Sequence, residues 1–209
     1  MAKLWQSPIL EESFGLIDAE FGPHRFSPEE YAVVRRVIHS TADFDFKDLV
    51  RFEGGAMAAG LAALAQGAPI VVDVTMVRQG VVGLVERTFH NPLWAAVSEG
   101  DPPEPGRTRT ETGLLRCLGR ISGQTPGAVV VIGNAPTALL ALCDAMEAGQ
   151  VSPALVIGAP VGFVAVEDSK RRLAQVAVPH IRVEGRKGGS PVAAAILNAL
   201  LVLAWEQQP

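Results

Sequence analysis

Four short runs decide the fold: APIVVDV (68–74), AVVVIG (128–133), ALVIGAP (154–160) and HIRVEG (180–185). They are rich in β-branched residues and largely lack polar alternation, which is typical of strands covered on both faces by helices. A stretch that can form a helix follows each run. The sequence therefore predicts a doubly wound α/β fold, with a mainly parallel sheet between two helical layers. A weaker pattern at 80–86 predicts a fifth strand.

Local signals place several helices around these strands. Ser7-Pro8 and Ser27-Pro28 each combine an N-cap hydroxyl with a proline at the first helical position. Glu30 lies three residues after Ser27, as a capping box requires, and the helix that follows is expected to end near 39–42. An alanine-rich helix is predicted over 54–66, with Gly67 as its stop.

Composition limits the classes of partner. The 209 residues contain 18 Lys plus Arg and 22 Asp plus Glu, so the formal net charge is −4. Nucleic-acid binding needs clustered cations, and we expect no nucleic-acid partner. The longest uncharged stretches, 121–143 and 188–205, read as buried core because neither offers the ~20 continuous helical residues that cross a bilayer.

The two cysteines, Cys117 and Cys143, form neither a CxxC pair nor a zinc-ligand pattern. With no apolar secretory signal at the N-terminus, they favour a reducing cytoplasm. The segment 100–106 is the one credible linker. Strands on both sides of it would complete one sheet, so we expect a single domain over residues 1–209.

Glycine-rich loops follow three of the strands, at 133–137, 158–163 and 185–190. In open α/β sheets such loops form the functional edge, and a helix start that follows a loop can bind an anion. Ordinary turn chemistry explains each loop equally well. Neither GxxxxGK[ST] nor GxGxxG occurs, which favours carboxylates over nucleotides as the anion.

Among the histidines, His39 has the best setting for chemistry. It is expected at the C-terminal end of a helix and close to Asp43, where dipole and carboxylate favour the protonated form. Such a group can donate a proton near neutral pH, although a capping role is the simpler interpretation.

Other polar residues have open roles. Arg109, Arg116 and Arg120 share one helix face that either binds carboxylates or is solvated, and Asp73 is either a site residue or a cap. No nucleophile–base pair can be identified, so hydrolysis by a Ser or Cys triad has little support.

Five segments carry a resemblance that spans nearly the whole chain: VIHSTADFDF (37–46), DVTMVRQG (73–80), VIGNAPTALLAL (131–142), PALVIGAPVGFVAVEDSK (153–170) and GRKGGSPVAAAILNAL (185–200). In this order they resemble the precorrin-8X methylmutase family of the cobalamin pathway. The resemblance implies a flavodoxin-like fold and a homodimer with active sites near the subunit interface. It implies migration of a methyl group from C-11 to C-12 of a ring-contracted tetrapyrrole, with no cofactor and no metal site. Whether the substrate contains cobalt stays open.

The same resemblance assigns residue roles. It implies that His39 protonates or hydrogen-bonds a ring nitrogen, and that the substrate carboxylates are bound by Ser13, Arg109, Asn134, Gly188, Gly189 and Ser190. Met76, Pro160, Val161 and Phe163 are candidates for apolar walls around the macrocycle.

The chain departs from the family pattern at Ala42, where a glycine is usual, and over 82–107, where the match is poor. Two other functions stay in view. A tetrapyrrole carrier would bind without turnover, and the presence of His39 favours catalysis instead. A flavin or nucleotide binder is disfavoured because the phosphate-binding fingerprints are missing.

Overall fold

A computed structural model describes residues 7–121 and 127–208. Its sheet has the strand order β1-β6-β5-β4-β2-β3. Five strands are parallel, and β1 pairs antiparallel with β6 at one edge. The strands are β1 (Val50–Glu53), β2 (Ile70–Val72), β3 (Leu93–Ala95), β4 (Val129–Ile132), β5 (Leu155–Gly158) and β6 (His180–Val183).

Helices cover both faces of this sheet. Within the described ranges they are α1 (Pro8–Phe21), α2 (Pro28–Thr41), α3 (Phe46–Leu49), α4 (Ala56–Ala65), α5 (Thr75–Arg87), α6 (Ala96–Glu99), α7 (Arg109–Ile121), α8 (Pro136–Glu147), α9 (Val166–Leu173) and α10 (Ser190–Glu206). Helices α2, α4 and α5 pack around α10, and α8 packs against α7 and α9. None of the described helices is long and apolar enough to cross a membrane.

The sheet separates two hydrophobic cores. Val129 and Val131 of β4 face the core that contains α10, whereas Val130 and Ile132 face the core that contains α8. Successive residues of a strand point to opposite faces, so a strand buried on both faces needs apolar residues throughout. This confirms the three-layer α/β fold that the sequence predicts.

The four principal strands are confirmed, although each is shorter than its apolar run because the run includes connecting residues. The strand predicted at 80–86 is wrong, since these residues belong to α5. Its buried residues Val77, Val81, Leu84 and Val85 recur at helical spacing, which outweighs the local β-branched composition. The short strands β1 and β3 carried too weak a pattern to be predicted.

Segment 100–106 lies between strands of one sheet, because β2 pairs with β3 before the segment and with β4 after it.

Two arginines of α7, Arg116 and Arg120, bind the backbone and a side chain of the segment that precedes this helix. The guanidinium of Arg116 donates to the carbonyls of Glu99, Asp101 and Pro102, and Arg120 pairs with the Glu99 carboxylate at 2.6 Å. Their contacts are therefore with the protein itself.

Helix ends follow the sequence signals closely. The capping box at Ser27 and Glu30 is formed, and Gly67 ends α4 in a Schellman motif with its N–H on the Leu64 carbonyl. The left-handed residue that ends α2 is Ala42, with φ 54°. A left-handed conformation favours glycine, which explains why Ala42 is a departure from the resembled family.

Replacing Ala42 with glycine is expected to stabilise the protein. Relief of left-handed strain, about 1–2 kcal/mol, should exceed the added unfolded-state entropy of glycine, about 0.5–1 kcal/mol. Chemical denaturation should show a higher free energy of unfolding for Ala42→Gly. The matched control is Gly67→Ala at φ 77°, where an added Cβ meets nothing within 4 Å, so that a loss would reflect conformation alone. Equal or lower stability of Ala42→Gly would contradict the strain argument.

Candidate active site

The carboxyl ends of β2, β4, β5 and β6 meet at one edge of the sheet. The residues that follow them are Asp73, Gly133, Ala159 and Glu184. In the sheet, β3 lies on one side of β2 and β4 lies on the other. The chain runs from β2 to β3 and then returns across β2 to β4, so the direction of strand order reverses between β2 and β4. Open α/β sheets bind ligands in the crevice beside such a reversal.

Asp73 occupies this crevice and is completely buried. One carboxylate oxygen accepts the N–H groups of Val74 and Gly133 at 2.9 and 3.1 Å, and the other accepts those of Asn134 and Ala135 at 2.6 and 2.8 Å. Burial raises the pKa of the Asp73 carboxyl, and the four N–H donors oppose that rise.

The loop before α8 is therefore partly closed to an anion, because Asp73 occupies three of its N–H groups. The sequence predicts that the N–H groups at 133–137 could receive an anion. Those of Gly133, Asn134 and Ala135 donate to the Asp73 carboxylate instead. Asn134 keeps an exposed side chain at the edge, although its backbone N–H is occupied.

No side chain caps the start of α10 among the described residues, and the same holds for α8. Gly188 and Gly189 precede α10 with φ of 152° and 116°. A Cβ on Gly188 would lie 2.4 Å from the carbonyl oxygen of Ala159, so only glycine fits against β5 here. A Cβ on Gly133 would lie 3.0 Å from the Cα of Ser190, which brings this turn beside the loop after β4.

His39 lies in the last turn of α2, exposed, with its ring edge-on to Phe14 at 5.4 Å between centroids. Ser13 precedes Phe14 on α1, and its hydroxyl donates to the carbonyl of Ile9. The imidazole is therefore neither buried among aliphatic side chains nor remote from Ser13.

An ion pair joins the end of α2 to the glycine turn. The Lys187 ammonium binds the carboxylates of Asp43 and Asp45 at 2.7 and 2.6 Å, and this contact holds the pKa of Asp43 below its usual range. The sequence predicts that Asp43 would support His39. Its carboxylate instead bonds Lys187 and the N–H of Asp45.

Arg109 approaches the same edge from the other face of the sheet. Its Nε donates to the carbonyl of Val97 at 2.8 Å, and its guanidinium pairs with Asp101 at 3.0 Å. The N–H of Val97 in turn donates to the backbone carbonyl of Asp73. Half of the Arg109 side chain stays exposed.

Three of the four apolar wall candidates are exposed near this edge: Met76, Val161 and Phe163, the last at 85%. Pro160 is buried. The guanidinium of Arg186 lies 5.7 Å from the centre of the Phe163 ring.

Lys170, which the sequence reasoning missed, is 2% exposed and donates to two carbonyls of the glycine turn. The available signal was its helical spacing from Val166 and Leu173, which places a lysine on the buried face of α9.

The two thiols take no part in this arrangement. Both cysteines are buried, and burial raises the pKa of Cys117 to about 11 and that of Cys143 to about 12. They remain protonated at neutral pH and are poor nucleophiles.

Comparison with known proteins identifies relatives over almost the full length. A cobalt-precorrin-8 methylmutase of Synechocystis sp. is 54% identical, over 97% of this chain and 98% of the relative. A precorrin-8X methylmutase of Pseudomonas aeruginosa is 41% identical, over 92% and 93%. A solved precorrin-8X methylmutase structure from Thermus thermophilus superposes with a TM-score of 0.85 and 46% identity, over 96% of this chain and 98% of that one.

Residues 8–203 match the precorrin-8X methylmutase family, whose members are isomerases that move a methyl group within one molecule. The match covers both the His39 helix end and the glycine turn before α10. The chain belongs to the precorrin-8X methylmutase family.

Proposed function

We propose that this protein converts precorrin-8X, or its cobalt-containing counterpart, to hydrogenobyrinic or cobyrinic acid by moving a methyl group from C-11 to C-12. His39 acts as the proton donor. The observation that carries the proposal is the exposed imidazole at the end of α2, tied through the Asp43–Lys187 ion pair to an uncapped helix start.

The reaction is an isomerisation, so no atoms or electrons enter or leave overall. A proton from His39 on a ring nitrogen withdraws electron density from the macrocycle while the methyl group migrates. The same proton returns to the imidazole when product forms. A histidine suits this exchange because its imidazole can both donate and accept a proton.

The substrate carries several acetate and propionate carboxylates, and donors of three kinds are available for them. Gly188 and Ser190 supply backbone N–H groups, Arg109 supplies a guanidinium, and Asn134 and Ser13 supply side-chain polar groups. Gly189 supports the turn instead, since its N–H donates to the carbonyl of Ala159. Charge-assisted hydrogen bonds are the strongest of the available hydrogen bonds. Local donors thus support polyacid binding in a protein whose net charge is −4.

Assembly as a homodimer, with residues 1–209 as one domain in the cytoplasm, completes the proposal. Phe163 and Val164 are 85% and 84% exposed, and large apolar side chains left in water favour a protein interface. The N–H of Gly162 donates to the carbonyl of Arg186, so this apolar loop adjoins the glycine turn. A second copy packed here would lie near the proposed site.

The replacement His39→Ala should abolish conversion of precorrin-8X while leaving pigment binding intact, because the proton donor is lost and the carboxylate donors remain. Conversion is followed by the change in visible absorption as conjugation around C-11 and C-12 rearranges. His90→Asn is the control, since His90 is an exposed histidine ahead of β3, at the opposite edge of the sheet. Normal turnover by His39→Ala would refute the proton-donor role. Binding without turnover by the wild type would establish a carrier instead.

Loss of the Arg109 guanidinium should weaken substrate binding. Removing one charge-assisted hydrogen bond is expected to cost about 1.5–3 kcal/mol of binding free energy, measured by absorbance titration of Arg109→Ala. Arg120→Ala serves as the control because Arg120 contacts the same 96–101 segment through Glu99. Equal affinity of Arg109→Ala and wild type would remove Arg109 from the site.

Light scattering should give twice the chain mass for the wild type. Val164→Asp should shift the population towards single chains, because a carboxylate would have to be buried at the interface. Leu16→Asp, at an exposed apolar position on α1, should leave the mass unchanged. A wild type of single-chain mass would contradict the dimer.

A further inference from the structure

Lys170 is a buried cation that the proposed chemistry does not use. It lies on α9 between the buried residues Val166 and Leu173, and it is 2% exposed. Lysine is almost never fully buried unless its ammonium is paired, since burial of a charge is costly. The partners of this ammonium therefore indicate what its burial achieves.

Those partners are two carbonyls of the turn that connects β6 to α10. The Nζ of Lys170 donates to the carbonyl oxygen of Gly185 at 2.8 Å and to that of Lys187 at 2.7 Å. Both peptide groups are trans, so the N–H groups of Arg186 and Gly188 point away from Lys170. Neither N–H donates to an acceptor within residues 7–121 or 127–208.

The backbone of the turn is conformationally permissive on both sides of these two peptide groups. Gly185, Gly188 and Gly189 all have positive φ, where glycine is conformationally permissive. The N–H of Gly189 is anchored on the carbonyl of Ala159 at 2.8 Å, immediately before the uncapped start of α10. The N–H groups of Arg186 and Gly188 thus remain as donors on the side of the turn that faces away from Lys170.

We propose that Lys170 is a positioning residue whose ammonium orients the 185–186 and 187–188 peptide groups, so that the Arg186 and Gly188 N–H groups bind a substrate carboxylate. The substrate assignment rests on the proposed function, whereas the orientation of the turn does not. A positive charge on the carbonyl side also polarises both peptide groups and makes their N–H edge a better donor.

The ammonium can lose its proton within an accessible pH range. Burial lowers the pKa of Lys170 to about 8, and the nearby Glu167 carboxylate opposes that shift. Other charged groups on the surrounding elements are Arg171 on the same helix, Arg182 and Glu184 on and after β6, Arg186 and Lys187 in the turn, and Asp144 and Glu147 on α8, which pair with Arg172.

A titration of the wild-type protein without ligand tests the orientation. In ¹⁵N-labelled protein, the amide signals of Arg186 and Gly188 should shift together as pH passes through about 8. The shift should be absent in Lys170→Gln and present in the control Arg171→Gln, whose side chain is exposed. Static amide signals in the wild type, or the same titration in Lys170→Gln, would overturn the proposal without any substrate.

Kinetics with precorrin-8X test the binding role. Lys170→Gln should raise KM about tenfold at pH 7, as expected for loss of about one hydrogen bond, with kcat nearly unchanged. The wild-type KM should rise above pH 8, whereas that of Lys170→Gln should be flat. An unchanged KM or a loss confined to kcat would exclude the positioning role.

Thermal unfolding separates this effect from loss of fold. The folded-state pKa of Lys170 lies below its usual value of 10.5, so the unfolded chain binds more protons between pH 8 and 10.5. This group therefore makes the fold more stable as pH rises, while substrate affinity falls. If the wild type does not convert precorrin-8X but its amide signals titrate as expected, the proposed function is refuted. The role of Lys170 in orienting the turn would still stand.

Discussion

The buried carboxylate of Asp73 is the interaction on which the functional edge depends. It binds the N–H groups of three consecutive residues after β4, while its own backbone pairs with Val131 and Val97. One residue thus joins β2, β4 and α6 where the strand order reverses. The cost of burying the charge is offset by four donors from the backbone. The crevice where a flavodoxin-like sheet would bind phosphate is consequently filled by the protein itself.

The proposed carboxylate site is therefore the turn before α10. The cationic side chains nearby are largely neutralised, since Lys187 pairs with Asp43 and Asp45 and Arg186 lies 3.3 Å from Glu167. Backbone N–H groups remain as donors. An acidic protein can therefore bind a polycarboxylate through oriented peptide dipoles, without the broad basic surface that composition rules out.

The ion pair between Lys187 and Asp43 also links the end of α2, which carries the proposed proton donor His39, to the turn before α10. His39 and Asp43 are four residues apart at the end of α2, and Lys187 adjoins Gly188. In the proposed reaction, placement of the proton on a ring nitrogen would depend on how the substrate carboxylates are held. The left-handed Ala42 between them sets the direction in which the chain leaves the helix.

The sequence by itself determined the layers, four strands and most helix ends, because periodicity and capping are local properties. It also singled out His39 and the 185–190 turn, through short motifs and a family resemblance. Only the tertiary structure showed that Asp73 occupies the N–H groups of residues 133–135 and that Lys170 binds the turn before α10. The hydrogen bond between Asp73 and Gly133 joins residues 60 positions apart in the chain. The hydrogen bonds of Lys170 reach residues 15 and 17 positions away. No local pattern encodes such partners, since they are chosen by how the strands pair and how α9 packs.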